Sequence, residues 1–240
     1  MEPKERIILA LDLAEQEEAL DIVERVGAHI NIFKVGAELF TSAGPKIIEE
    51  IHKRGKKVFL DLKYHDIPNT VSRAAEAAAK LGVYMFNVHA LGGYEMMKQA
   101  AQALVKSSLK KNVDRPRLLG VTILTSIDQD ALKNELGIGQ SMKTQIRHLA
   151  GLVLKAGLDG VVASPQDVET VRAHCGNGFL IVTPGIRPSW TPKDDQKRTM
   201  TPKEALKKGA DYLVIGRAVL SQPDPVSALE RIIKELEVKS

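Results

Sequence analysis

A chain of 240 residues with 44% hydrophobic and 27% charged residues has a globular balance and enough length for one large core. Its net charge of +4 comes from cations interleaved with acids, and aromatic residues are only 4%. That excludes a basic block with stacking aromatics for nucleic acid, while a small anionic ligand suits the charge; the one cysteine, Cys175, excludes an internal disulfide and a cysteine metal cluster.

The charged start, Met1 to Arg6, leads into the apolar run Ile7–Leu13, the first predicted strand. It is too short for a signal peptide or a membrane span, and Asp12 interrupts it. The chain is therefore expected to be cytoplasmic and unprocessed, with no membrane partner. Glu15–Val26 follows as a helix, with Ala19, Ile22, Val23 and Val26 at helical spacing. Strand Ile30–Val35 precedes helix Pro45–Arg54, which carries Ile47, Ile48 and Ile51 and stops at Gly55. Strand Val58–Leu62 leads to alanine-rich helix Asn69–Leu81, ending at Gly82. Met85–Ala90 and Leu118–Leu124 are the next strands. Helix Lys143–Ala156 ends at Gly157, before strand Gly160–Ala163. Strand Phe179–Thr183, helix Pro202–Lys208 with Gly209 after it, and strand Tyr212–Ile215 complete the series.

Strands alternating with helices imply parallel pairing through right-handed crossovers. Eight such units in 240 residues predict a closed (β/α)8 barrel, the TIM-barrel class of α/β fold, as a single domain over 1–240. An open doubly wound sheet is the alternative. No G-x-G-x-x-G follows the first strand, which weakens its dinucleotide-binding form.

Barrel enzymes place their chemistry at the C-terminal strand ends, and side chains two apart share a face. On the third strand Phe59, Asp61 and Lys63 fall on one face, with Phe59 deeper, and Leu60 and Leu62 on the other. The first strand sends Ala10 and Asp12 to one face, and the second Ile32, Lys34 and Gly36. Asp12, Lys34, Asp61 and Lys63 can thus converge at one mouth, where two acids beside two lysines supply the pairing that buried charge needs.

The stretch Asp61-Leu62-Lys63-Tyr64-His65-Asp66-Ile67-Pro68-Asn69-Thr70 leaves this strand as a D-x-K-x-x-D pattern, and Pro68 keeps Asp66 and Ile67 in the loop. It resembles the signature of the orotidine 5′-monophosphate decarboxylase family. So do Leu11-Asp12, Phe33-Lys34-Val35-Gly36, Pro184-Gly185-Ile186-Arg187 and Ile215-Gly216-Arg217, which extend the likeness over the whole chain. The resemblance implies that orotidine 5′-monophosphate loses CO2 to give UMP, with no cofactor and no metal. Lys63 would protonate C6, within a charged network of Lys34, Asp61, Lys63 and Asp66. Asp66 and Thr70 would reach across the interface of a homodimer, and Ile67 would join them at the substrate. Asp12 and Lys34 would meet the ribose hydroxyls and Thr125, more firmly than Ser126, the pyrimidine edge. Pro184, Arg187, Gly216 and Arg217 would hold phosphate, where glycine admits backbone amides and arginine matches the oxyanion. Gln196, in the polar segment 189–199, would reach the same phosphate from a mobile lid.

Related sugar-phosphate decarboxylases and hexulose-phosphate synthases share D-x-K-x-x-D but carry a magnesium-holding glutamate where Lys34 stands. Pentulose-phosphate epimerases need strand-end histidine ligands; here His65 and His89 could meet, without a clear third ligand. A non-catalytic binding barrel would keep the arginines without needing Asp61, Lys63 and Asp66 together.

Overall fold

The computed structural model describes residues 2–111, 114–191 and 199–237. After a 3-10 turn, Pro3–Arg6, the chain alternates strands and helices. The strands are β1 (Ile7–Leu11), β2 (Ile32–Gly36), β3 (Lys57–Tyr64), β4 (Met85–His89), β5 (Arg117–Val121), β6 (Gly160–Val162), β7 (Leu180–Thr183) and β8 (Tyr212–Ile215). Each pairs in parallel with its sequence neighbours, and β8 closes on β1 through Ile7 opposite Leu213. The predicted closed barrel is the observed one.

The helices cover the outside. They are α1 (Gln16–Val26), α2 (Ala37–Ala43), α3 (Lys46–Lys53), α4 (Pro68–Lys80), α5 (Tyr94–Lys111), α6 (Gln129–Asn134), α7 (Met142–Lys155), α8 (Val168–Cys175), α9 (Pro202–Lys207), α10 (Arg217–Leu220) and α11 (Pro225–Glu237). Five of them match the helices read from spacing, to within about two residues. Gly55 and Gly157, expected as stops, take φ of 69° and 82°, a region a side chain disfavours. Among the described residues no helix is long and apolar enough to cross a membrane.

Most strands are buried on both faces, as parallel barrel strands must be. Ile8, Ala10, Ile32, Phe59, Met85, Leu119, Val182, Tyr212 and Val214 fill the interior. Ile7, Leu9, Phe33, Leu60, Phe86 and Ile181 point outward to the helices. Gly120 shows how tightly these layers meet: a Cβ there would stand 2.4 Å from Val153 Cγ2 of α7. The barrel floor is polar. Tyr84 and Tyr212 hydroxyls share a 2.9 Å hydrogen bond, Arg117 donates to Tyr212 at 3.0 Å, and its guanidinium lies 4.5 Å from the Tyr84 ring centre.

Some strands are shorter than the apolar runs suggested. β1 stops at Leu11, whose partner is Val35, and Asp12 follows it at the mouth. β5 stops at Val121, and Ile123 and Leu124 beyond it line the mouth. β3 is longer than expected, continuing past Leu62 to Tyr64.

Thr183 is fully buried, and its hydroxyl has no hydrogen-bond partner among the described residues. Its neighbour Val182 faces the interior, so Thr183 faces the helix layer. Thr183→Val removes an unsatisfied hydroxyl at constant shape. We expect stability to rise by about 1 kcal/mol, or about 2–4 °C in Tm. A lower Tm in thermal denaturation would show that the hydroxyl is satisfied in solution.

Candidate active site

The ends of β1, β2 and β3 deliver four charges to one cavity. Lys34 Nζ lies 2.7 Å from Asp12 Oδ1 and 3.6 Å from Asp61 Oδ2. Lys63 Nζ donates to Asp61 Oδ1 at 2.8 Å. The order is therefore acid, ammonium, acid, ammonium. The inner pair is the more enclosed: the Lys34 and Asp61 side chains are 10% and 13% exposed, against 54% for Asp12 and 37% for Lys63. Asp12, Lys34 and Asp61 reach the cavity by the expected alternation, and Lys63 reaches it too, through an irregularity of β3 after Leu60. Gly36 leaves room for this row, since a Cβ there would sit 3.1 Å from Lys34 Nζ.

Burial by itself would push the Asp61 carboxyl up. The Lys34 and Lys63 ammoniums, with hydrogen bonds from Lys63 and Asn87, outweigh it and hold Asp61 below the usual carboxylate range. Asp61 is thus a stable anion between two cations.

The same cavity is lined by Thr125 after β5, Pro184 and Arg187 after β7, and Gly216 and Arg217 after β8. Gly185 takes φ 74° in the turn that leads to Arg187. Ile186 then bridges to Met200, and Arg187 N–H donates to Met200 O at 2.9 Å. The excursion from 188 to 199 is joined at its base by these contacts. Trp190 lies within it, with the Arg231 guanidinium 4.4 Å from its ring centre. Gln196 lies outside the described residues.

Asp66, Ile67 and Thr70 are exposed and do not line this cavity. Ile67 is 66% exposed, although it is a large apolar residue. Asp66 Oδ1 accepts the Ile67 N–H at 2.6 Å, which shapes the loop after β3. Ser126 is exposed and also lies off the cavity lining.

Sequence reasoning missed Asn87 and Ser164. Asn87 is fully buried on β4; it donates to Asp61 at 2.6 Å and accepts the Lys63 backbone N–H at 2.7 Å. Its inward parity with Met85 was the available signal. Ser164, after β6, lines the cavity and donates to Asp167 at 2.8 Å. His65 and His89 do meet, their rings stacked with centres 5.5 Å apart. Burial, His65 and Lys63 all lower the His89 pKa. Among the described residues no group of three or more His, Cys, Asp or Glu is placed to hold a metal. Burial pushes the half-buried Cys175 thiol up, against the pull of Arg172, so it is a poor nucleophile.

A closed parallel barrel with a lysine–carboxylate row on one side of its mouth and arginines after β7 and β8 defines a barrel built to act on a small anionic substrate. The profile of the orotidine 5′-phosphate decarboxylase / HUMPS family matches residues 5–232, and the chain belongs to that family. An orotidine 5′-phosphate decarboxylase of Syntrophomonas wolfei is 50% identical over 238 residues, covering 99% of this chain and 100% of the relative. One of Trichlorobacter lovleyi is 53% identical over 235 residues, covering 98% and 96%. The crystal structure of orotidine 5′-phosphate decarboxylase from Lactobacillus acidophilus superposes with a TM-score of 0.86 at 41% identity, covering 98% of this chain and 100% of that one.

The depressed Asp61 pKa has a consequence for stability. It contributes fully above the ordinary carboxylate range, near pH 4, and the contribution is lost as pH falls through the lower folded value. Asp61→Asn leaves Lys34 and Lys63 without their shared anion, and we expect a loss of about 2 kcal/mol at pH 7. The Tm gap between wild type and variant should narrow below about pH 4. A gap that stays constant from pH 7 to pH 3 would contradict this assignment.

Proposed function

We propose that this chain decarboxylates orotidine 5′-monophosphate to UMP and CO2, a step of de novo pyrimidine synthesis carried out in the cytoplasm. The observation that carries the reading is the Asp12–Lys34–Asp61–Lys63 row, which shares one cavity with Arg187 and Arg217. The family and the near-full-length decarboxylase relatives supply the substrate.

In this reading the arginine side of the cavity binds phosphate, with Pro184 and Gly216 shaping the approach. Gly216 is packed closely, since a Cβ there would lie 3.3 Å from Ala10 Cβ and 3.4 Å from Asp12 Oδ2. Asp12 and Lys34 take the ribose hydroxyls, and Thr125 takes the pyrimidine edge. The C6–carboxylate bond breaks, CO2 leaves, and its electron pair stays on C6. The Lys63 ammonium stabilises that charge and then transfers a proton from Nζ to C6; solvent restores the proton to Lys63. A cation fixed beforehand beside the developing charge need not reorganise during the step. Asp61 keeps Lys63 in place and charged.

No metal enters this scheme. The space between Asp12 and Asp61 is taken by the Lys34 ammonium, which supplies the positive charge those carboxylates require. The assignment of Gln196 to phosphate, and of the segment 189–199 to a closing lid, rests on the resemblance. A lid there would let phosphate binding energy act on the distant ring.

The protein acts as a homodimer in this proposal. Asp66, Ile67 and Thr70 face away from their own chain's cavity, and Ile67 exposes apolar surface that a partner would cover. Asp66 and Thr70 would then complete the neighbouring site.

Chelator-treated protein incubated with orotidine 5′-monophosphate should deplete the substrate absorbance, and Lys63→Ala should slow this by 10²–10⁴-fold, on the order of a lost general acid, or more. A folded protein that leaves the substrate untouched would overturn the reading and direct the search to magnesium-dependent sugar-phosphate chemistry. The shared-site proposal has a separate check. Inactive Lys63→Ala and Asp66→Asn proteins, mixed under conditions of proven subunit exchange, should regain activity through hybrid sites; none regained would rule out a contribution across subunits.

A further inference from the structure

Lys63 is the one non-glycine residue with positive φ (50°) among the described residues. Such a backbone persists only where its surroundings enforce it. The β3–β4 ladder shows the cause. Leu60 pairs with Phe86, but the next pair is Tyr64 with Val88. Three residues of β3, Asp61 to Lys63, therefore bulge opposite the single residue Asn87. The bulge takes the Lys63 N–H out of the ladder, and Asn87 Oδ1 accepts it at 2.7 Å. A backbone N–H only donates, so this bond fixes the amide's orientation and turns Nδ2 toward Asp61 Oδ1 at 2.6 Å. The same Oδ1 receives Lys63 Nζ at 2.8 Å. Asn87 is fully buried and does not line the cavity.

We infer that Asn87 is a positioning residue for the reaction: its side chain replaces the missing ladder bond, holds Lys63 in its left-handed bulge and aims the Asp61 carboxylate at both lysines. The kinetic part of this inference rests on the function proposed above; the structural part does not.

The test uses Asn87→Ala and the near-isosteric Asn87→Asp, which also serves if the alanine variant does not fold. Displacing Lys63 by about 1 Å should lower kcat by about 100-fold. KM for orotidine 5′-monophosphate and Kd for UMP should change by less than about threefold, because the arginine loops are untouched. The acid limb of kcat/KM should move to higher pH, since Asp61 loses a donor, and further in Asn87→Asp, which sets a second carboxylate against it. The other charged or titratable groups around Asp61 are Asp12, Lys34 and Lys63, with His65 and His89 beyond Lys63, and all remain. A general loss of structure would lower Tm and the active fraction and leave the pH profile in place. Wild-type kcat with an unmoved acid limb, or a loss that only tracks the unfolded fraction, overturns the inference.

Crystal structures of the variants decide the matter without reference to activity. In Asn87→Ala, Lys63 should leave the positive-φ region or lose its contact with Asp61; in Asn87→Asp, whose carboxylate still accepts the Lys63 N–H, the Asp61 carboxylate should turn away from residue 87. Retention in Asn87→Ala of φ near 50° together with the 2.8 Å contact, or an unmoved Asp61 in Asn87→Asp, overturns the inference. If wild type fails to decarboxylate while the variants show the structural change, the functional reading fails and the positioning role stands.

Discussion

A carboxylate cannot be enclosed in a barrel mouth unless cations meet it there, and Asp61 sets that requirement here. Its 13% exposed side chain needs Lys34 on one oxygen and Lys63 on the other. Lys34, itself 10% exposed, in turn needs Asp12. Each charge is tolerated because the next strand supplies its opposite. The alternation therefore lets each charge be enclosed, and it ties the registers of β1, β2 and β3 together. A shift of one residue in any of the three would turn its charge toward the helix layer.

Geometry divides the cavity. One wall, from β1 to β3, is rigid, charged and strand-borne. The adjoining wall, from β7 and β8, is built from turns, with Gly185 at positive φ and Gly216 packed against Ala10. Strands fix side chains to within small tolerances, which suits groups that must face a reacting atom. Turns expose backbone amides and carry long arginines, which suits an oxyanion. The floor is held apart from both by Tyr84, Tyr212 and Arg117.

Much of this was legible in the sequence because it depends on period alone. The eight strands followed from apolar runs, and alternation along them aims Asp12, Lys34 and Asp61 at one mouth, with Lys63 beside them though by a bulge. What was hidden depends on register between strands. Asn87 sits in the run Met85–His89 like any strand residue, and only the slipped pairing of β3 on β4 reveals its purpose. The positive φ of Lys63 carries no glycine to announce it. The Tyr84–Tyr212 floor joins residues 128 apart. Asp66, Ile67 and Thr70 were named from resemblance, and one chain leaves them on its surface. Helix α5 was legible too, since Met96, Met97, Ala100, Ala101 and Leu104 recur at helical spacing and are buried.

The bridge between Ile186 and Met200 separates two design problems. The bridge itself and the 2.9 Å hydrogen bond from Arg187 N–H to Met200 O tie the chain at that neck. Arg187 sits on the tied side. The bridge therefore keeps the arginine registered to the barrel on its own, so that the placing of Arg187 and the composition of the chain beyond the neck are separate constraints.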